Sequence, residues 1–119
     1  DVIKNEQELL SFQNSLKDRF GPIPETVNDL FKTNHLRWFC EKLGIEKLVL
    51  KNETFKAYFV SNENEKFYTS EIDGKILSFV KTHHNICRLK DASKRVILII
   101  NSVNSIEKAL NLAKQIHNI

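Results

Sequence analysis

The sequence predicts an α+β fold in which helices pack on a mostly antiparallel sheet, with the element order α-α-β-β-α-β-β-α. Apolar residues recur at helical spacing near both ends of the chain, and short segments rich in β-branched and aromatic residues lie between them. No linker or low-complexity tract divides the 119 residues. A chain of this length buries roughly two-thirds of its unfolded surface, enough for a core without disulfides or a metal. We therefore interpret residues 1–119 as a single domain.

The first predicted helix runs from Glu6 to Phe20 and is amphipathic. Gly21 suits the left-handed position just beyond a helix end, and Pro22 cannot continue a helix. We expect Phe20 to anchor this corner in the core, and a side chain at Gly21 to strain the turn. The apolar positions of this helix are Leu9, Phe12, Leu16 and Phe20.

The second predicted helix runs from Pro24 to about Leu43, and Gly44 ends it. Pro24 is expected as a residue of the first turn, with Glu25 near the positive end of the helix dipole. The stretch between the two helices is therefore a helix–helix corner. The apolar positions of the second helix are Val27, Leu30, Phe31, Trp38, Phe39 and Leu43.

Two β-hairpins are predicted in the middle of the chain. Strands Ile45–Leu50 and Thr54–Val60 form the first, and strands Ile86–Lys90 and Arg95–Ile100 form the second. Because Val96–Ile100 is apolar without alternation, we place it in the sheet interior. The residues expected to share the core face of the second strand are Phe55, Ala57 and Phe59.

Two further helices are predicted around the second hairpin. Ser61–Thr69 is expected to be a polar loop, and Ser70 to cap a helix that extends through Val80. A closing helix is expected from Ser102 to the end of the chain. The apolar positions of these helices are Ile72, Ile76, Leu77 and Val80, then Val103, Ile106, Ala109, Leu110, Ala113 and Ile116.

The composition argues against several classes of function. The three glycines are isolated, so the glycine-rich motifs that bind nucleotide phosphates are absent from the sequence. The longest apolar run, Val96–Ile100, is too short to cross a bilayer. Cys40 and Cys87 lie in apolar segments, as reduced cysteines do, which favours a cytoplasmic location. Since the sequence lacks methionine, we expect it to be part of a longer protein.

His83, His84 and Cys87 lie close together in the sequence, where they could suggest a zinc site or a thiol nucleophile with its base. Adjacent histidines on a helix point about 100° apart, and no second ligand motif accompanies them. A zinc site and a thiol nucleophile are both weaker interpretations than solvated residues at a helix end. We therefore expect no metal, no cofactor and no catalytic residue, so that the chain itself is not an enzyme.

Asp18 is unfavourably placed with respect to the dipole of its helix. A carboxylate in the last turn meets the negative end of the helix dipole, which costs up to about 1 kcal/mol, whereas Arg19 is well placed there. By helical phase Asp18 shares an exposed polar face with Asn14 and Ser15. A solvated acid and an acid that serves a binding partner are both consistent with this position.

The segments LKDRFGPIPETVNDLF and LRWFCEKLGIEKL resemble the C-terminal domain of the bacterial transcription-repair coupling factor, the Mfd family. The shared features are a D-R-F-G-x-x-P corner, a long helix and a K-L-G-I-x-K entry into the first strand. The match is specific over Leu16 to Leu48. Over the rest of the chain it is a match of element order and apolar pattern.

The resemblance implies a regulatory domain of a larger protein. The full-length members are ATP-driven DNA translocases that remove stalled RNA polymerase and recruit the repair protein UvrA. The C-terminal domain of the family has no catalytic residues. It docks on a UvrB-like module of the same chain and covers the UvrA-binding surface, so that it acts as an autoinhibitory clamp.

The resemblance also assigns a contact face. In the family, charged residues at the end of the first helix face oppositely charged residues on the UvrB-like module, and the matching positions here are Asp18 and Arg19. Asn14 and Ser15 are neighbours on that face, and Ser15 stands where relatives often have glutamate. The corner residues Phe20, Gly21 and Pro24 are expected to be structural.

A basic nucleic-acid-binding accessory module is the alternative. The net charge of +3 is mild and the basic residues are spread along the chain, so composition permits this function without requiring it. An aromatic stacking platform for single-stranded nucleic acid is a further alternative, although the spacing of the aromatic residues favours core packing. We expect the chain alone to be monomeric. The lysines considered are Lys42, Lys47, Lys51, Lys56 and Lys66, and the aromatic residues are Phe31, Trp38, Phe39, Phe55, Tyr58 and Phe59.

Overall fold

A computed structural model describes residues 5–119. These residues form five helices and one four-stranded antiparallel sheet with strand order β1-β2-β4-β3. The predicted α+β class and the order of the predicted elements are confirmed. In chain order the elements are α1 (Glu6–Phe20), α2 (Glu25–Lys42), β1 (Ile45–Lys51), β2 (Thr54–Ser61), α3 (Glu65–Tyr68), α4 (Glu71–Thr82), β3 (Cys87–Ala92), β4 (Arg95–Asn101) and α5 (Ile106–His117).

The α1–α2 corner forms where it was predicted, with two differences in detail. Gly21 has a φ of 80° and a ψ of −157°, which is not the left-handed helical region but is accessible essentially only to glycine. Pro24 is the N-cap of α2 and not a first-turn residue, because its ψ of 148° is extended. The Pro24 carbonyl oxygen accepts hydrogen bonds from the amides of Val27 and Asn28, each at 3.0 Å.

The segment predicted as a polar loop, Ser61–Thr69, contains the one-turn helix α3. The Asn64 side chain caps it by accepting a 3.0 Å hydrogen bond from the Phe67 amide. Phe67 packs against the core, and the Tyr68 hydroxyl donates to the Val60 carbonyl at 2.7 Å. Two aromatic side chains therefore fix a segment whose polar composition predicts no regular structure.

The ends of the last two helices are set by serine caps. Ser70 accepts from the Asp73 amide at 3.4 Å, as the sequence predicts. The closing helix begins later than expected, since Ser105 is its cap and accepts from the Lys108 amide at 3.1 Å. Val103 is buried in the preceding loop, where its amide donates to the Glu53 carbonyl at 2.8 Å.

The core lies on one face of the sheet. Leu98 and Ile100 of the interior strand β4 pack there with Phe55, Ala57 and Phe59 of β2, which confirms the face predicted for β2. Helices α2, α4 and α5 all contribute to this same cluster, so they cover the same side of the sheet. The helix residues buried in the core are Leu36, Phe39 and Cys40, then Ile76 and Phe79, then Ala109, Leu110, Ala113 and Ile116.

Candidate interdomain docking surface

Helices α1 and α2 form an antiparallel hairpin whose outer end projects beyond the core. Near the start of α1 the Glu6 carboxylate lies 3.2 Å from Nε2 of His35, and further along the Phe12 and Phe31 rings meet edge to face at 5.9 Å. Leu9 is the one residue of α1 that is buried. No residue from Leu10 to Leu30 is buried. This stretch, which we call the hairpin tip, is therefore presented to solvent.

The four polar residues predicted as contacts all lie on the hairpin tip. Asn14, Ser15, Asp18 and Arg19 are exposed and occupy the last two turns of α1. Within residues 5–119 neither Asp18 nor Arg19 forms an ion pair with another side chain. Both charges are thus available to a group outside the described chain, as the docking hypothesis requires.

Phe20 does not anchor the corner in the core, so that expectation is wrong. Its side chain is 72% exposed, the highest value among the large apolar residues that the structure describes. The guanidinium carbon of Arg19 lies 5.3 Å from the centroid of the Phe20 ring. The helical spacing correctly places Phe20 in line with the apolar face of α1, but α2 offers no packing partner at this end of the hairpin.

Leu30 shows the same departure from the prediction. It was assigned to the apolar face of α2, yet it is 65% exposed near the corner. Leu10 and Phe12 of α1 are also exposed. Four of the seven large exposed apolar residues therefore belong to the hairpin. The sequence did carry a signal of this exposure, because the helical corner has more apolar positions than a contact between two helices can bury.

Gly21 makes the sharp exit from α1 possible. Its amide donates a 2.9 Å hydrogen bond to the Lys17 carbonyl, which continues the helical pattern past Phe20. The extended ψ then turns the chain away from the helix axis toward Pro24, where α2 begins. Asp18, Arg19 and Phe20 are therefore held at a fixed corner, since the helix before them and the cap after them are both defined.

His35 is a titratable group of α2 that contacts Glu6 of α1. Burial lowers the pKa of the His35 imidazole, and the nearby Glu6 carboxylate opposes that shift. Although Nε2 lies 3.2 Å from the carboxylate oxygen, it is buried without a well-aligned hydrogen bond. The ring also meets Trp38 edge to face at 5.7 Å.

The histidine–cysteine cluster is not arranged as a metal or nucleophile site. The Cys87 thiol is buried and donates to the backbone carbonyl of His83 at 3.2 Å, and burial raises its pKa. The His83 ring stacks on Phe79 with a 4.0 Å centroid separation. Among residues 5–119 no three His, Cys, Asp or Glu side chains are grouped to hold a metal ion.

Most of the aromatic residues considered as a stacking platform belong to the core. Phe31, Phe39, Phe55 and Phe59 are buried, and Trp38 is half-buried on α2. Tyr58 alone lies on the opposite face of the sheet.

The described helices include none that is long and apolar enough to cross a bilayer.

The fold and this surface define an α+β domain that presents a projecting helical corner. The chain belongs to the TRCF domain family, because the sequence model of the TRCF domain matches residues 1–70. The resemblance stated for the D-R-F-G corner is thereby confirmed.

The similar proteins are transcription-repair-coupling factors. The chain is 30% identical over 111 residues to that of Rickettsia prowazekii, covering 87% of this chain and 9% of the relative. It is 29% identical over 119 residues to that of Borreliella burgdorferi, covering 94% of this chain and 10% of the relative. The chain thus spans about a tenth of the length of the curated relatives it matches.

A solved structure has the same fold. The crystal structure of the C-terminal domain of a transcription-repair coupling factor superposes with a TM-score of 0.75 at 15% identity. The match covers 98% of this chain and 73% of that one. The predicted fold class is confirmed by this likeness.

Proposed function

We propose that this chain is the C-terminal regulatory domain of a transcription-repair coupling factor in the cytoplasm, within a larger ATP-dependent DNA translocase that acts on stalled RNA polymerase. In the resting protein it docks on a UvrB-like module of the same polypeptide and masks the surface that binds UvrA. The names of the relatives and the likeness in fold support the assignment to this part of such a protein.

The observation that carries the docking proposal is the exposure of an unpaired acid, an unpaired base and a large aromatic side chain at one fixed corner. Asp18, Arg19 and Phe20 follow one another there, and Asn14 and Ser15 lie one turn earlier. A segment of the same polypeptide is the proposed occupant, because the matched relatives are about ten times longer than this chain.

The magnitudes favour Phe20 as the main source of docking energy. An exposed ion pair contributes about 0–1 kcal/mol, whereas burying a phenylalanine side chain contributes about 1.5–3 kcal/mol. Asp18 and Arg19 then set the orientation and the partner, and Phe20 supplies most of the free energy. A contact of this total strength is reversible, so the clamp can open when a competing ligand or a conformational change favours the released state.

The test measures UvrA binding by the full-length protein that contains this chain. Replacing both charges, Asp18→Ala with Arg19→Ala, should raise UvrA affinity about fivefold or more, the change that corresponds to about 1 kcal/mol. The thermal unfolding of the 119-residue chain should change little, because both side chains are exposed and their opposite interactions with the helix dipole offset each other.

A matched control removes an acid and a base elsewhere on the surface. Glu63 and Lys94 form an exposed ion pair at 3.5 Å, away from the hairpin tip. The double variant Glu63→Ala with Lys94→Ala should leave UvrA affinity unchanged. If the Asp18 and Arg19 variant binds UvrA no better than this control does, the docking face assigned here is wrong.

A further inference from the structure

The face of the sheet opposite the core carries a concentration of positive charge. Because α2, α4 and α5 all pack on the core side, no other element of residues 5–119 covers this second face. Alternation along the strands places six basic side chains on it. Arg95 of β4 is paired with Glu46, and we call the region of the other five the basic face. Its basic residues are Lys47 and Lys51 of β1, Lys56 of β2, and Arg88 and Lys90 of β3.

The register shows how these residues are arranged. One row across the sheet reads Lys47, Tyr58, Ile97 and Lys90, and the next reads Val49, Lys56, Ile99 and Arg88. Ile97 and Ile99 are buried although no helix covers them. The aliphatic parts of the long basic side chains beside them account for this burial, with the charged ends left in water.

The charge on the basic face is not neutralised locally. None of its five basic side chains forms an ion pair with a carboxylate of residues 5–119. The rows contain no acid, and Glu46 at the edge already lies 3.2 Å from Arg95. Five positive charges exceed the net charge of +3 of the whole chain, so the rest of the molecule is net negative. The excess positive charge of the chain therefore lies on the basic face.

Protection of sheet edges does not account for this arrangement. Lysines on edge strands hinder pairing with other chains, and β1 and β3 are the edges of this sheet. Lys56, however, lies on the interior strand β2. The centre of a protein–protein interface is apolar and poor in lysine, whereas this face is rich in lysine. The large exposed apolar residues lie elsewhere, four of them in the α1–α2 hairpin.

We propose that the basic face binds the sugar-phosphate backbone of nucleic acid. Four strands span about 14 Å, and Lys47 and Lys51 are about 13 Å apart along β1. A DNA strand carries a phosphate about every 3.4 Å along its axis, so a face of this size meets several phosphates at once. Contacts to phosphates carry no sequence information. Because the basic face offers lysine and arginine side chains with Tyr58 as its single aromatic residue, we expect binding that is independent of base sequence.

This site differs from the lysines considered in the sequence. Lys47, Lys51 and Lys56 lie on the basic face, whereas Lys66 lies in α3 and the Lys42 ammonium sits 5.0 Å over the Phe39 ring. The strand register adds Arg88 and Lys90 to the basic face, and neither was among the lysines considered in the sequence. The site is also separate from the hairpin tip, so it is independent of the proposed clamp.

The test is fluorescence anisotropy of a labelled 20-nucleotide single strand and a 20-base-pair duplex with the 119-residue chain. Both should bind at 50 mM salt. If all five side chains contact phosphates, binding should weaken by 200 mM about 130-fold for the single strand and about 500-fold for the duplex. Replacing Lys56→Gln with Arg88→Gln should lower affinity at 50 mM by about 10-fold or more and reduce the salt dependence.

The matched control is Lys66→Gln with Lys81→Gln, which has the same net charge but leaves the basic face intact. It should bind as the unmodified chain does. The proposal is overturned if neither nucleic acid binds at 50 mM salt, or if the face variant and the control bind equally. It is also overturned if poly-glutamate of the same charge competes as well as DNA, because the face would then recognise acidic protein.

Discussion

The Arg19 guanidinium stacks over the ring of Phe20, 5.3 Å from its centroid, at a corner where that ring is largely in solvent. An aromatic residue at the end of an amphipathic helix would ordinarily be buried. Here the stacked pair forms a surface feature in which an apolar group and a charge are presented together. Such a pair suits a docking contact that needs both affinity and orientation.

The Phe20→Ala variant separates a docking role from a core role. Since the side chain is exposed, the free energy of unfolding of the chain should change by less than about 0.5 kcal/mol, against about 3–5 kcal/mol for a buried phenylalanine. Phe79→Ala, in the core, is the matched comparison and should show the large loss. Chemical denaturation measures both. A loss at Phe20 comparable with that at Phe79 would contradict the exposed position.

In the full-length protein, Phe20→Ala should raise UvrA affinity more than Asp18→Ala does. The reason is that burial of the aromatic ring contributes more than one exposed ion pair. Binding of UvrA to each single variant measures the difference. The opposite order would mean that charge, and not apolar contact, holds the clamp.

The three glycines should respond differently to substitution by alanine. Gly44 has a φ of 75°, and an added Cβ would collide with the Phe67 ring, so Gly44→Ala should destabilise most. Gly21→Ala meets no steric obstacle and should cost about 1–3 kcal/mol through its backbone conformation alone. Gly74→Ala lies within α4 and should stabilise by about 0.5–1 kcal/mol. Thermal unfolding of the three variants tests this order.

Stability should fall as the solution is acidified from pH 7.5 to 5.5. Burial holds the pKa of His35 below its ordinary value of about 6.5, so the unfolded chain binds a proton more readily than the folded one. The contribution is fully present above that value and is lost as the pH falls toward the folded pKa. His35→Gln should reduce the dependence and His84→Gln, at an exposed position, should not. A profile unchanged by His35→Gln would argue against this role.

Both cysteine thiols should be inert in the folded chain. Burial raises the pKa of Cys40 to about 11, so at pH 8 its thiolate fraction is about 100-fold lower than for an exposed cysteine. Reaction with a disulfide reagent such as dithionitrobenzoate should therefore be slow until denaturant is added. Cys87→Ala isolates the reaction of Cys40. Fast labelling of the native protein would contradict the burial of Cys40.

Local sequence signals predicted the elements of this fold well. Proline, glycine and serine define ends through their own backbone and side-chain chemistry, as at Gly21, Gly44 and Ser70. Apolar alternation likewise fixed the core face of β2. The one-turn helix α3 was missed because it depends on Phe67 and Tyr68 contacting residues remote from its own polar segment.

By itself the sequence determined the strands and the four longer helices of this protein, its helical corner and the exposed position of the charges at Asp18 and Arg19. Only the tertiary structure decided that Phe20 is exposed, and that lysines from three segments share one face with Arg88. The physical reason is that helical and strand periodicity fix the direction of a side chain relative to its own element. Whether another element covers that side chain depends on how the chain returns on itself.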